Sequence, residues 1–214
     1  MAARYNGVST NIALTNALSS LSGNISSILF RVKINSYNTH GVMLFGTTTG
    51  AAIFWQMYRN NLVYIHSRPV SIIPTVLDDG LYHSVALISD GTTASCYIDG
   101  EFKGSSANSP ASLAAGNKDF LIGDWIGGPG TDWILDGGIQ DMRVYDEALP
   151  LSQIQEYHEE MLARKQLTTQ TENFTYHKPD DLSNEDGLVA AYNFKPEGSI
   201  MTDVSGNGNQ GTVN

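Results

Sequence analysis

From residue 1 to about 147 the sequence is cut into short runs rich in Val, Ile, Tyr and Phe, divided by Gly, Asn, Asp and Ser. SSILFRVKI (26–34), GVMLFG (41–46), AIFWQMY (52–58), LVYIHS (62–67), HSVALIS (83–89), ASCYIDG (94–100), DFLIGDWI (119–126) and GGIQDMRVYD (137–146) recur every dozen or so residues. β-branched and aromatic side chains suit a pleated, half-buried surface, and runs this short do not sustain a helix. The spacing predicts antiparallel strands packed as a sandwich rather than alternating β-α units. In TASCYIDGEFKG the pair Asp99-Gly100 separates two alternating runs, the signature of a two-residue hairpin. Alternation then puts Cys96 and Ile98 on one face of the strand and Tyr97 on the other.

One stretch has a different period. In ALPLSQIQEYHEEMLARKQ, the apolar spacing runs through Leu151, Ile154, Tyr157 (or His158) and Met161, which predicts a helix over about 152–165. Ser152 with Gln155 fits a capping box, and Arg164 and Lys165 suit the negative end of the helix dipole. Residues 166–186 are polar and turn-rich and read as a linker, before a strand restarts at GLVAAYNFKP (187–196). The expected organisation is a jelly-roll body with its helix over 1–165, the linker, and a strand and turn over 187–214 completing the same sandwich. A swapped dimer, with that strand exchanged between chains, is the alternative.

Charge narrows the partners. A net charge of −10 disfavours nucleic acid and anionic membrane surfaces. No stretch approaches the roughly 20 apolar residues of a membrane span, and the N-terminal residues lack the apolar core of a signal peptide. The single cysteine, Cys96, rules out an intrachain disulfide.

DDGLYHSVALISDGTTASCYIDGEFKG (78–104) resembles the central signature of laminin G-like domains in the concanavalin A-like lectin/glucanase superfamily. FLIGDW (120–125) is similar to that family's next strand, and GGIQDMRVYDEALPLSQIQEYH (137–158) to its closing strand and helix. GLVAAYNF and DVSGNGNQGTV, within 187–213, resemble its opening strand and turn, so the segments stand here in circularly permuted order. The resemblance implies an all-β, antiparallel jelly-roll sandwich with one short helix. It also implies a His at position 83 that anchors strand to turn, and a structural calcium near Asp203, Asn207, Asn209 and the closing-strand Asp141. Gln140 stands where the family commonly carries a second acid. Asp, Asn and Gly also build such turns with no metal.

Catalytic constellations are not evident in the sequence. Glycosidases of this superfamily need two carboxylates across a cleft. The core strands offer no Glu-x-Asp-x-Glu arrangement, Glu101 falls in a hairpin, and Glu156, Glu159 and Glu160 fall on the helix's exposed side. The five histidines (40, 66, 83, 158, 177) are scattered. The stretch GDWIGGPGTDWILDGG (123–138) instead suits a sugar: flat indoles stack on sugar faces while carboxylates fix hydroxyls. Trp125, Trp133, Asp124 and Asp132 are the candidates, with Trp55, Tyr58 and Asn60 as a second rim. The same Trp residues also serve as ordinary sandwich packing. The expectation is a non-catalytic carbohydrate-binding or adhesion module for a glycan or polysaccharide, extracellular or on a particle surface. A structural or assembly protein is the alternative, and a polysaccharide-cleaving enzyme the remoter one.

Overall fold

A computed structural model of the chain describes the backbone of residues 3–6, 12–14, 26–36, 42–47, 54–57, 63–65, 68–70, 77–107, 120–122, 135–170, 187–192, 200–201, 203–208 and 211–213, and the side chains of 26–36, 77–107, 122, 135–164, 187–191 and 203–208. In chain order the strands are β1 (Ala3–Asn6), β2 (Ile12–Leu14), β3 (Ser27–Ser36), β4 (Val42–Thr47), β5 (Phe54–Met57), β6 (Val63–Ile65), β7 (Arg68–Val70) and β8 (Tyr82–Ser89). They continue as β9 (Thr93–Ile98), β10 (Glu101–Ala107), β11 (Phe120–Ile122) and β12 (Asp136–Tyr145), followed by helix α1 (Leu151–Gln170) and then β13 (Leu188–Tyr192), β14 (Ile200–Met201) and β15 (Gly211–Val213).

The strands form two sheets. One runs β1-β12-β3-β8-β9-β10, with β13 also on β12; the other runs β14-β15-β2-β11-β4-β5-β6-β7. Every pairing is antiparallel. β1 and β13 share one edge of β12: β1 lies against 136–139 and β13 against 142–145. The segment after residue 186 thus contributes to both sheets, β13 to the first and β14 and β15 to the second.

Alternation assigns the faces of the first sheet. Ile28, Phe30, Val32 and Ile34 of β3 are buried on one side, in register with Val85 and Leu87 of β8 and with Ile139, Met142 and Val144 of β12. In β9, Ala94, Cys96 and Ile98 are buried while Thr93, Ser95 and Tyr97 are not fully so, as the period-two pattern requires. Burial pushes the Cys96 thiol up to about 12, so it is an inert core side chain. Asp99 and Gly100 have φ of 53° and 76°, the paired left-handed geometry that Asp-Gly supplies to a hairpin. Gly137 is obligatory for closeness: a Cβ there would lie 1.9 Å from the Lys33 carbonyl oxygen on the neighbouring strand.

Helix α1 covers the opposite face of this sheet. Ile154, Tyr157 and Met161 pack with Leu29, Ala86, Ile88, Tyr145, Leu149, Leu188 and Ala191. Ser27 fixes the approach to the helix, donating its hydroxyl to the Glu147 carbonyl and accepting from the Leu149 amide. The helix departs from expectation at both ends. Pro150 supplies the first acceptor, to the Ile154 amide, so Ser152 is inside the first turn and does not cap. The helix runs to Gln170 because QLTTQ contains no Gly or Pro to stop it. Arg164 and Lys165 therefore stand short of the last turn.

Candidate functional site

The strand registers decide which loops meet. β4 pairs antiparallel with β5 and β11: Val42 faces Met57, and Ile122 faces Phe45. The segments leaving Met57 and Ile122 therefore depart from the same end of the second sheet, the end where β4 begins. β3 enters that end from the first sheet at Ser36, which pairs with Asp136 at the start of β12. The connection 123–134 thus joins Ile122 to the start of β12 across one end of the sandwich. Trp125, Trp133, Asp124, Asp132, Tyr58 and Asn60 lie outside the described residues, on the connections that leave and return at this end. Trp55 is placed within β5, opposite Phe45 and Ile65, with its side chain outside the described set.

Polar side chains of the first sheet gather at the same end. Asp136 accepts hydrogen bonds from the Asn35 amide (3.1 Å) and the Ser36 hydroxyl (2.8 Å). His83, near the start of β8, sits between two carboxylates: Nδ1 is 2.7 Å from Asp99 Oδ2, and Nε2 is 3.2 Å from Asp79 Oδ1. Ionised carboxylates only accept, so both ring nitrogens donate and the imidazolium is favoured. The hydrogen bond from Asp99 raises the His83 pKa against the opposing effect of burial. Asp79 is held below the usual carboxylate range, first by the Leu81 amide and then by His83. Asp99 also accepts from the Ser84 amide, and the Ser84 hydroxyl shares a 2.8 Å hydrogen bond with His158 of α1. A ring clamped this way ties strand, hairpin and helix together and is a poor general base, as the sequence reading of His83 expected.

Missing from that reading is an ionic cluster between α1 and the outer face of the first sheet. Asp141 is the extra residue of a β-bulge, with φ 51°, and the bulge turns its carboxylate onto Arg143 Nε (3.2 Å) and Arg164 Nη1 (3.0 Å). Glu160 bridges the same two guanidiniums and so does not lie idle on the exposed side of the helix. Burial disfavours the Arg143 charge, but Asp141 and Glu160 outweigh it and hold the group firmly protonated. Glu160 and Arg164 are an i,i+4 pair that the helical period alone would have revealed. Arg143 needed the bulge, which leaves no such mark.

Of the residues expected to ligate calcium, Asp141 turns its carboxylate to two arginines. Asp203 is buried, and its Oδ1 accepts from the Ala191 amide and from the amide and hydroxyl of Ser205. Asn207 donates its side-chain amide to the Leu188 and Val189 carbonyls. Asn209 lies outside the described residues. Among the described residues no group of three His, Cys, Asp or Glu is arranged to hold a metal. These side chains instead knit the 203–208 turn onto β13.

The comparisons agree with the architecture. A laminin G-type family profile, described as the concanavalin A-like lectin/glucanases superfamily, matches residues 6–155. The chain belongs to the concanavalin A-like lectin/glucanase superfamily. No curated protein sequence matches it significantly. Among solved structures it is similar to domain 4 of AbnA, a GH43 extracellular arabinanase from Geobacillus stearothermophilus, in complex with arabinotriose. That match has 24% identity, TM-score 0.56, and covers 72% of this chain and 75% of that one. A candidate carbohydrate-binding protein from Bacteroides ovatus matches at 16% identity and TM-score 0.60, over 96% of this chain and 58% of its own length. A mutant NanB sialidase from Streptococcus pneumoniae matches at 15% identity and TM-score 0.51, over 72% of this chain and 27% of the enzyme. At these identities the structures establish a shared fold.

Proposed function

We propose that this chain is a non-catalytic module that binds glycans through the connections at the end of the sandwich where β5 and β11 finish. The observation that carries this reading is the register. It supports the reading because β5 and β11, which precede the connections bearing Tyr58 and Asn60 and bearing Trp125 and Trp133, finish at one end of the second sheet. Aromatic rings beside carboxylates and amides suit neutral sugars, whose faces are apolar and whose rims are hydroxyls. The AbnA domain in complex with arabinotriose supports an arabinose-type oligosaccharide as the first ligand to try.

Hydrolysis requires a pair of free carboxylates about 5–5.5 Å apart, or further apart for inversion. Three described carboxylates at this end are already committed: Asp79 and Asp99 hold His83, and Asp136 holds Asn35 and Ser36. Among the described residues no helix is long and apolar enough to cross a membrane, and a site outside a cell or on a particle surface fits a glycan ligand. A glycan array read beside a reducing-sugar assay on the same polysaccharides tests the proposal. Binding without turnover is expected. Turnover abolished by changing one carboxylate would replace this reading with an enzymatic one. Absence of sugar binding together with a stable oligomer in light scattering would replace it with an assembly role.

A further inference from the structure

The outer face of β3 carries two cations that no described carboxylate pairs with directly, although Asp141 acts on Arg31 through space. Arg31 and Lys33 are separated by one residue, so they project from the same face, the one α1 packs on. Both are half-buried, yet neither makes a hydrogen bond or ion pair with any described residue. This contrasts with Arg143 and Arg164 nearby, which take up both Asp141 and Glu160. The Arg31 guanidinium is stacked 5.1 Å from the centroid of the Tyr82 ring, which fixes its plane while leaving its donors uncommitted. Lys33 pairs with Tyr82 on one side and with Gly138 on the other, and Gly138 pairs in turn with Arg4 of β1. Arg31 pairs with Ser84 and Gln140 in the next row. Of the described acids at the adjoining strand end, Asp136 is spent on Asn35 and Ser36 and Asp79 on His83, while Asp78 is exposed.

A chain of net charge −10 has few places where an anion is welcome, and this face is one. Long polyanions meet the repulsion of the whole molecule, whereas a single charged group on a short ligand meets only the local field. We propose that Arg31 and Lys33, with Tyr82 beside them, form a binding site for an anionic sugar residue, whose carboxylate or sulfate oxygens they receive. The guanidinium fork matches two oxygens of a planar or tetrahedral anion, and the ammonium supplies a further donor. The saccharide part of this assignment rests on the glycan-binding reading above. The charged site is separate from the loops assigned there.

Calorimetric titration of the intact chain with four probes tests it: oligogalacturonate, a sulfated oligosaccharide, neutral arabinotriose and inorganic phosphate. Oligogalacturonate or the sulfated sugar binds to wild type, and Arg31→Gln or Lys33→Gln each weakens that binding about 10–100-fold. Arabinotriose binding is unchanged in both variants. Arg31→Lys, which keeps the charge and loses the fork, falls between wild type and Arg31→Gln with an unaltered melting midpoint. That intermediate value separates ligand loss from misfolding. The site is refuted if neither acidic sugar binds, or if the glutamine variants bind them as wild type does. It is equally refuted if phosphate alone binds as tightly as the sugars, which leaves an adventitious ion only. Silence with arabinotriose alongside acidic-sugar binding that the variants lose would remove the loop reading and leave this site standing.

Discussion

His83 shows how one side chain gives the fold a pH dependence. Its pKa is raised, principally by Asp99, so the stabilisation it brings is complete below the unfolded value of about 6.5 and fades as pH rises through the folded value. Asp79 is depressed, principally by the Leu81 amide, and its contribution holds above about 3.9 and fades as pH falls through its folded value. The network therefore stabilises most between about pH 4 and 6.5. His83→Ala should lower stability by about 1–2 kcal/mol in that window, the carboxylates being partly exposed, and the loss should shrink towards pH 8. Denaturant melts at pH 5.5 and pH 8 measure the difference; an equal loss at both would remove the imidazolium from the account. Position 83 was legible through the resemblance of residues 78–104 to the laminin G-like signature, which implies a His anchoring strand to turn. The arginine contacts of Asp141 were not legible because its orientation depends on a bulge, and one inserted residue in a ladder has no sequence period.

At the scale of elements, α1 was found by its apolar spacing, and Ile154, Tyr157 and Met161 are the residues that reach the sheet. Its ends were less legible. The first acceptor is a proline carbonyl and the last turns contain no breaker, so neither end carries the usual signal. Met161 is 3% exposed against Leu29 and Tyr145 of the sheet cluster, so Met161→Ala should cost about 2–4 kcal/mol and lower the melting midpoint by roughly 5–15 °C. Differential scanning calorimetry reads this directly; a shift under about 2 °C would mean that the helix is not part of the cooperative unit. The Asp99-Gly100 hairpin, by contrast, was readable, because period-two burial and Asp-Gly chemistry both act over a few residues.

For the whole molecule, the order of strands was beyond local patterns. β1 and β13 come from opposite ends of the chain yet line one edge of β12, and β15 sits between β14 and β2. We propose that 187–214 closes the sandwich of its own chain, in the permuted order its resemblance to the family's opening strand implies. Removal of 187–214 would then strip the edge from β12 and two strands from the second sheet, and should abolish soluble folding. A monomeric, cooperatively melting truncation would show instead that the segment serves a neighbour. The candidate sugar site was legible as composition, two Trp and two Asp on a Gly-rich connection. That the strands preceding the two connections, β5 and β11, finish at one end of the second sheet emerged only from the registers of β4, β5 and β11. The central claim, recognition of a glycan at that end, is tested most directly by titrating arabino-oligosaccharides into wild type and into Trp125→Ala and Trp133→Ala. Saturable binding by wild type, weakened at least about tenfold in either variant with the melting midpoint retained, is the predicted result; wild-type binding that survives both substitutions intact would contradict it.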